Sequence, residues 1–159
     1  MQSLAMPVTF KDITQDNFEQ AIGLELADDQ QGFVRSNLYS IAQSKAIPVL
    51  TPKAVYNERD ELVGFVLYRG VRDPNVDPDG WLVRIMIDKR HQGRGYGRQT
   101  MEEIIRLVRD DMGCRAIGLS VEPKNQNARK LYESLGFRET GEAIQGQIIM
   151  KLTLEEQPT

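Results

Sequence analysis

Six residues, Gln92-Gly93-Arg94-Gly95-Tyr96-Gly97, put three glycines at alternate positions between an apolar segment, Trp81 to Asp88, and a segment with helical apolar spacing. Glycine lets a backbone come close to a ligand, and the first N–H groups of a helix have no partner inside it. A strand that enters such a turn and leaves it as a helix aims those N–H groups at an anion, here with Arg94 and Arg98 interleaved. The spacing predicts a pyrophosphate cradle. It is not a Walker loop, because no G-x-x-x-x-G-K-[ST] string occurs in the chain. It also departs from the dinucleotide fingerprint G-x-G-x-x-G, since Arg98 stands where the last glycine belongs and the strand lies mid-chain behind a hairpin.

Other residues with chemical potential are carboxylates. Glu25, Asp28 and Asp29 sit in an acidic connector, Glu25 to Gln31, and Asp73, Asp77 and Asp79 lie in the turn-rich stretch Gly70 to Gly80. Each is a candidate general base, although a solvated charged loop is the plainer reading. His91 is the single histidine and adjoins the glycine turn, where a surface position is expected. Cys114 is the single cysteine, so no intrachain disulfide or cysteine metal cluster is expected, and one histidine leaves no metal site in view. A small buried thiol and a reducing compartment fit that count.

The elements that must position these groups read as follows. Val8 to Ile13 is a strand, and Asp16 with Glu19 caps a helix bearing Phe18, Ala21 and Ile22. Gly32 to Ala46 is a helix with Val34, Leu38 and Ile41 on its apolar face, ended before Pro48. Lys53 to Tyr56 and Leu62 to Tyr68 form a hairpin about Asn57-Glu58-Arg59-Asp60. Trp81 to Asp88 is a central strand covered on both faces. The helix after the glycines carries Met101, Ile104, Ile105, Val108 and Met112 in one stripe, pairs Glu102 with Arg106, and closes at Gly113. Ala116 to Val121 is a strand, Asn125 or Asn127 caps a helix ending at Gly136, and Phe137 to Glu142 with Gln147 to Leu152 close as a hairpin around Gln145-Gly146. Residues 153–159 are expected to fray. The order β-α-α-β-β-β-α-β-α-β-β predicts an α/β (α+β mixed) fold, a largely antiparallel sheet of six to seven strands with helices on both faces.

The 159 residues, 40% hydrophobic and 27% charged, suit a single domain. Twenty basic against twenty-three acidic residues give a net charge of −3 and no basic block, which disfavours nucleic acid as the partner. The segment MQSLAMPVTF lacks the basic start and apolar run of a secretory signal, and no apolar run approaches a membrane span, so a cytoplasmic protein is expected.

The glycine segment resembles the Q/R-x-x-G-x-G/A signature of the GNAT superfamily of N-acetyltransferases, and Arg84-Ile85-Met86-Ile87-Asp88 before it is similar to the strand of that family. A second match is Asn125-Gln126-Asn127-Ala128-Arg129-Lys130-Leu131-Tyr132-Glu133-Ser134-Leu135-Gly136-Phe137, which resembles the family's N-x-x-A-x-x-L-Y-x-x-x-G-F segment. The resemblance is strong from about Leu62 to Leu152. It implies acetyl-CoA as acyl donor, its pyrophosphate held by backbone N–H groups from Gly93 to Arg98, with Gln92, Gly95, Tyr96 and Gly97 in the same signature. It also implies that the pantetheine arm pairs with the backbone around Ile85, Met86 and Ile87, and that an N–H near Met86 or Ile87 polarises the thioester oxygen. Asn125 matches an asparagine that contacts coenzyme A, and a helix cap explains it equally well. Tyr132 matches the tyrosine that protonates the departing thiolate; packing beneath Phe137 is the other reading. The reaction implied is direct attack by a neutral amine with no covalent enzyme intermediate, a carboxylate such as Glu25 or Asp28 taking the amine's proton.

Within the superfamily the chain resembles bacterial spermine/spermidine acetyltransferases, from Gln30-Gln31-Gly32-Phe33-Val34, followed by Asn37 and Ser40, through Leu62-Val63-Gly64-Phe65 to Trp81-Leu82-Val83-Arg84. The implied acceptor is a polyamine, which negative charge near the entrance would steer. Enzymes of that kind often carry a carboxylate within the central strand, where this chain has Val83 and Arg84. Two other functions stay open: acetylation of another small amine or a peptide N-terminus, and acyl-CoA binding as a sensor without turnover. A homodimer through the last strands is in keeping with the family.

Overall fold

The computed structural model describes residues 7–27, 35–71 and 73–154. Seven strands, β1 (Thr9–Asp12), β2 (Thr51–Tyr56), β3 (Leu62–Gly70), β4 (Gly80–Ile87), β5 (Ala116–Val121), β6 (Arg138–Ile144) and β7 (Gln147–Thr153), interleave with four helices. These are α1 (Phe18–Ile22), α2 (Asn37–Ala46), α3 (Tyr96–Arg106) and α4 (Gln126–Ser134), in the order expected from the sequence. The sheet order β1-β2-β3-β4-β5-β7-β6 makes β4 its middle strand. The pairs β1/β2, β5/β7 and β6/β7 are antiparallel, while β4 meets β5 in parallel at Gly80↔Ile117 and Trp81↔Gly118. The chain gathers into two compact units, one from 1–67 and 84–103, the other from 68–83 and 104–159.

In the first unit β3 supplies an unbroken buried run from Leu62 to Leu67, the pattern of a strand covered on both faces. That role was expected of β4, which instead buries Leu82 and Met86 and leaves Val83, Arg84, Ile85 and Ile87 half-buried. Gly64 explains how closely β3 and β4 approach: a Cβ there would lie 2.6 Å from the Met86 carbonyl oxygen.

Both N-terminal helices depart from their expected faces. The cap of α1 is Asn17, not Asp16, and Phe18 is exposed. Helix α2 begins at Asn37 rather than Gly32, because Ser36 accepts the Tyr39 N–H at 3.1 Å and so caps it. It buries Asn37 and Ser40 and leaves Leu38 57% exposed, the reverse of an apolar stripe through Leu38. The cause is the Asn37 amide, which donates to the Ala21 carbonyl at 2.8 Å and lies 3.6 Å from Met86 Sδ. The part of the expected helix at 32–34, with Val34, lies outside the described residues.

In the second unit Ile117, Leu119, Phe137 and Met150 are fully buried beside Ile104 and Val108. Helix α3 ends in a π-turn, Leu107–Asp111, that the sequence periodicity does not announce; the Met112 N–H reaches back to the Leu107 carbonyl at 2.9 Å. Arg106 reaches forward to Asp111 at 3.6 Å. Thr153 and Leu154 are not frayed as expected: Leu154 is buried, and its N–H donates to the Arg115 carbonyl at 2.8 Å.

Candidate active site

The glycine turn lies wholly in the first unit. Strand β4 ends at Ile87, Asp88 caps a 3-10 turn, Lys89–His91, and Gln92 to Gly95 carry the chain to Tyr96, the first residue of α3. Gly93 and Gly95 take φ of +78° and +84°, a region that suits glycine. A Cβ at Gly93 would meet nothing within 4 Å, so internal packing does not demand this glycine. Its conformation does, and the open space beside it lets a ligand reach the backbone. Gln92 stabilises the turn by donating Nε2–H to the Ile87 carbonyl at 2.9 Å, which joins the signature to the end of β4. Arg94 and Arg98 are exposed, and the buried Gln99 Oε1 has no partner among the described residues. These features fit a pyrophosphate: freed N–H groups, glycine access and cations at the rim.

Two buried polar residues that sequence reasoning passed over fix this turn. By sequence Asp88 is only the end of a strand; its carboxylate is buried and accepts the Glu25 N–H at 2.8 Å, the Arg90 N–H at 3.2 Å and Arg90 Nε–H at 2.8 Å. Burial pushes its pKa up, but the Arg90 side chain, both N–H groups and the Arg90 charge outweigh that and hold it below the usual aspartate value. The Lys89 N–H donates to the Glu25 carbonyl at 2.7 Å, and Lys89 Nζ pairs with the Glu25 carboxylate at 2.9 Å. Glu25, a candidate base, is therefore ion-paired and exposed beside the entry to the turn. Asp28 and Asp29 lie outside the described residues.

Asn57, read as one of four turn residues, is the second. Its Oδ1 accepts the Arg59 and Glu61 N–H groups at 3.0 and 2.9 Å, while Nδ2 donates to Glu61 Oε1 at 2.8 Å and to the Tyr96 hydroxyl at 3.2 Å. An asparagine followed by polar residues is an Asx-turn pattern, and that was the available signal.

Arg84 stands, with Val83, in the stretch of β4 that offers no carboxylate. Its guanidinium donates to Gln43 Oε1 and, at 3.3 Å, to Ser40 Oγ, and lies 5.2 Å from the Tyr39 ring centre. Burial pulls its pKa below the ordinary arginine range, Tyr39 opposes that and the Arg35 charge adds to it. The charge is thus directed into α2 rather than left unpartnered.

In the second unit Asn125 caps α4, its Oδ1 accepting the Ala128 N–H at 3.3 Å, which selects it over Asn127 as the cap. Tyr132 is the buried residue of α4, with its ring 5.9 Å from that of Phe137. Burial pushes its phenol up to about 12, so it carries its proton throughout the neutral range. The loop carboxylates are structural here. Asp79 is buried, not solvated as expected, and accepts the Arg115 and Ala116 N–H groups at 3.0 and 3.1 Å. Asp77 pairs with Lys151 at 2.9 Å, and Asp73 accepts the Asn75 N–H at 2.9 Å. Cys114 is buried, as expected of an inert thiol.

A mixed seven-stranded sheet whose middle strand runs into a glycine turn that opens a helix, with a buried tyrosine on the last helix, α4, is the arrangement of a coenzyme A-dependent acyltransferase. The model of the acetyltransferase (GNAT) family matches residues 10–137, and the chain belongs to that family. It is an acetyl-CoA-dependent N-acetyltransferase. Over 142 residues, 86% of this chain and 91% of the relative, it is 32% identical to the spermine/spermidine N(1)-acetyltransferase of Bacillus subtilis. The spermidine N-acetyltransferase of Vibrio cholerae, solved with CoA and spermine, shares the fold with a TM-score of 0.72 at 17% identity, covering 93% of this chain and 96% of that one. A putative phosphinothricin N-acetyltransferase gives 0.72 at 16% identity, covering 94% and 99%.

Proposed function

We propose that this enzyme acetylates a primary amine of a polyamine such as spermidine or spermine. The observation that carries this reading is the likeness, along nearly the whole chain, to a relative named for that reaction. The net charge of −3 agrees with a polycationic acceptor.

The N–H groups from Gly93 to Arg98 bind the pyrophosphate of acetyl-CoA, with Gln92, Arg94, Gly95, Tyr96 and Gly97 shaping and charging the turn. The backbone of Ile85 to Ile87 orients the pantetheine arm, and an N–H there polarises the carbonyl that the amine attacks. Asn125 contacts coenzyme A while capping α4. Tyr132 holds the proton that passes to the departing sulfur, and its raised pKa keeps that proton available at neutral pH. Glu25 or Asp28, directly or through water, accepts the proton of the incoming ammonium. The enzyme works in the cytoplasm, where Cys114 stays a thiol, and as a homodimer; all seven residues of β6 are exposed for such pairing.

Thiol release measured with acetyl-CoA and a panel of polyamines, diamines, aminoglycosides and short peptides tests the reading. Turnover on spermidine and spermine above the other amines is the expected result. Turnover confined to another amine class overturns the acceptor assignment, and tight acetyl-CoA binding with silence across the panel favours a sensor.

A further inference from the structure

We propose that the β2–β3 turn, through Asn57 and Tyr96, is the positioning element for the pyrophosphate turn and sets affinity for the acyl donor without taking part in the chemistry. The proposal rests on the assignment of Gln92 to Arg98 as the pyrophosphate site. Tyr96 is flanked by two glycines of the signature and is 4% exposed, and it opens α3, whose first N–H groups face the anion. An aliphatic residue would fill the same space. The phenol adds a directional anchor: its oxygen accepts from Asn57 Nδ2 at 3.2 Å and lies 3.4 Å from both carboxylate oxygens of Glu58, to which it can donate.

Asn57 is fitted to hold that anchor still. It is 4% exposed, and both ends of its amide are engaged, the oxygen by two N–H groups of its own turn and the nitrogen by Glu61 and Tyr96. The backbone closes the same turn, with the Asn57 N–H donating to the Glu61 carbonyl at 2.9 Å and the Asp60 N–H to the Asn57 carbonyl at 3.0 Å. Asn57 thus ties the start of α3 to a rigid hairpin end. At the other end of the residue, the Tyr96 carbonyl accepts from Thr100 Oγ1 at 2.7 Å, so it is held at side chain and main chain alike. The glycines on either side provide access but no restraint. Losing the hydroxyl anchor lets the turn sample positions in which its N–H groups no longer converge.

The test compares Tyr96→Phe and Asn57→Ala with wild type, using acetyl-CoA and a truncated donor, S-acetyl-N-acetylcysteamine, that lacks the pyrophosphate. Tyr96→Phe should raise KM for acetyl-CoA about fivefold, the equivalent of one buried hydrogen bond, with kcat within about twofold. Efficiency with the truncated donor should be unchanged. Asn57→Ala should do the same, by more. Equal losses with both donors would mean a general loss of structure and overturn the proposal. Gly95→Val separates the two layers of the argument: if it raises KM for acetyl-CoA and Tyr96→Phe does not, the anchor is wrong and the pyrophosphate site stands. If neither moves KM, the site assignment fails and the proposal falls with it.

Discussion

In the unit that carries the glycine turn, the buried polar side chains among the described residues are Asn17, Asn37, Ser40, Asn57, Asp88 and Thr100; in the unit that carries Tyr132 there is Asp79. In the proposed function the first unit has to align the backbone N–H groups of the glycine turn, and alignment needs directional bonds, which buried amides and carboxylates supply. The second unit holds a phenol in its neutral form, and for that an apolar surrounding is enough, since desolvation alone raises the pKa. The two halves thus prepare different properties, geometry in one and proton affinity in the other.

That contrast is broken most directly at Tyr132. Removing one oxygen by Tyr132→Phe should lower kcat by about a hundredfold or more, the usual worth of a general acid, with the melting temperature within a few degrees of wild type. Steady-state kinetics with saturating acetyl-CoA, beside a thermal melt, measures both. A kcat within a few-fold of wild type would reduce Tyr132 to a packing residue. Because its pKa stands near 12, loss of the acid form should not depress kcat below about pH 10 in the wild type.

Asp88 is the corresponding test in the first unit. Asp88→Ala strands the Glu25 N–H and the Arg90 donors, and should cost about 2–3 kcal/mol of stability and raise KM for acetyl-CoA. The pH dependence has a definite sign. The folded pKa lies below the unfolded one, so the carboxylate stabilises the fold above the ordinary aspartate range, and that contribution disappears as pH falls through the folded value. Asp88→Asn should therefore flatten the acid limb of a urea-denaturation profile; an unaltered limb would assign it to other carboxylates.

Asp79 sharpens the comparison from the other side. It also satisfies N–H groups, those of Arg115 and Ala116, but it belongs to the other unit. Asp79→Ala should cost about 2 kcal/mol in denaturant titrations while KM for acetyl-CoA stays at the wild-type value. A raised KM would show that buried polar residues of either unit tune donor binding, and the division of labour would fail.

The same division explains what was legible in the sequence. The glycine turn and the order of eleven elements follow from spacing, because φ above zero favours glycine and an amphipathic helix needs periodicity, whereas Tyr132 stands out only through the resemblance of its segment to the family's. Polar hubs have no such signature. Asn57 reads as a turn residue and Asp88 as a strand end, since beside their local partners each has one that lies tens of residues away, and only the folded chain brings Asn57 to Tyr96 or Asp88 to Glu25. Helix α2 misleads for the same reason. Its buried face is set by Asn37 bonding to Ala21 and by Ser40 meeting Arg84, so Leu38 is turned outward against the apolar rule. The π-turn after α3 likewise shifts the phase of a stripe that the periodicity extends to Met112.

The smallest effect is expected at Arg94, which separates charge from geometry inside the turn itself. Its side chain is exposed, so under the proposed assignment its charge would act on the donor's phosphates through water and be screened by salt. Arg94→Ala should raise KM for acetyl-CoA about threefold at low ionic strength, and the difference should vanish near 0.5 M salt, where charges farther apart than a few ångströms no longer sense each other. Tyr96→Phe, acting through a buried hydrogen bond, should keep its full effect over the same range. Measuring KM for both variants across a salt series distinguishes them: parallel decay would mean that the turn binds its ligand mainly by charge, and that the rigid scaffold of Asn57 and Asp88 serves stability rather than recognition.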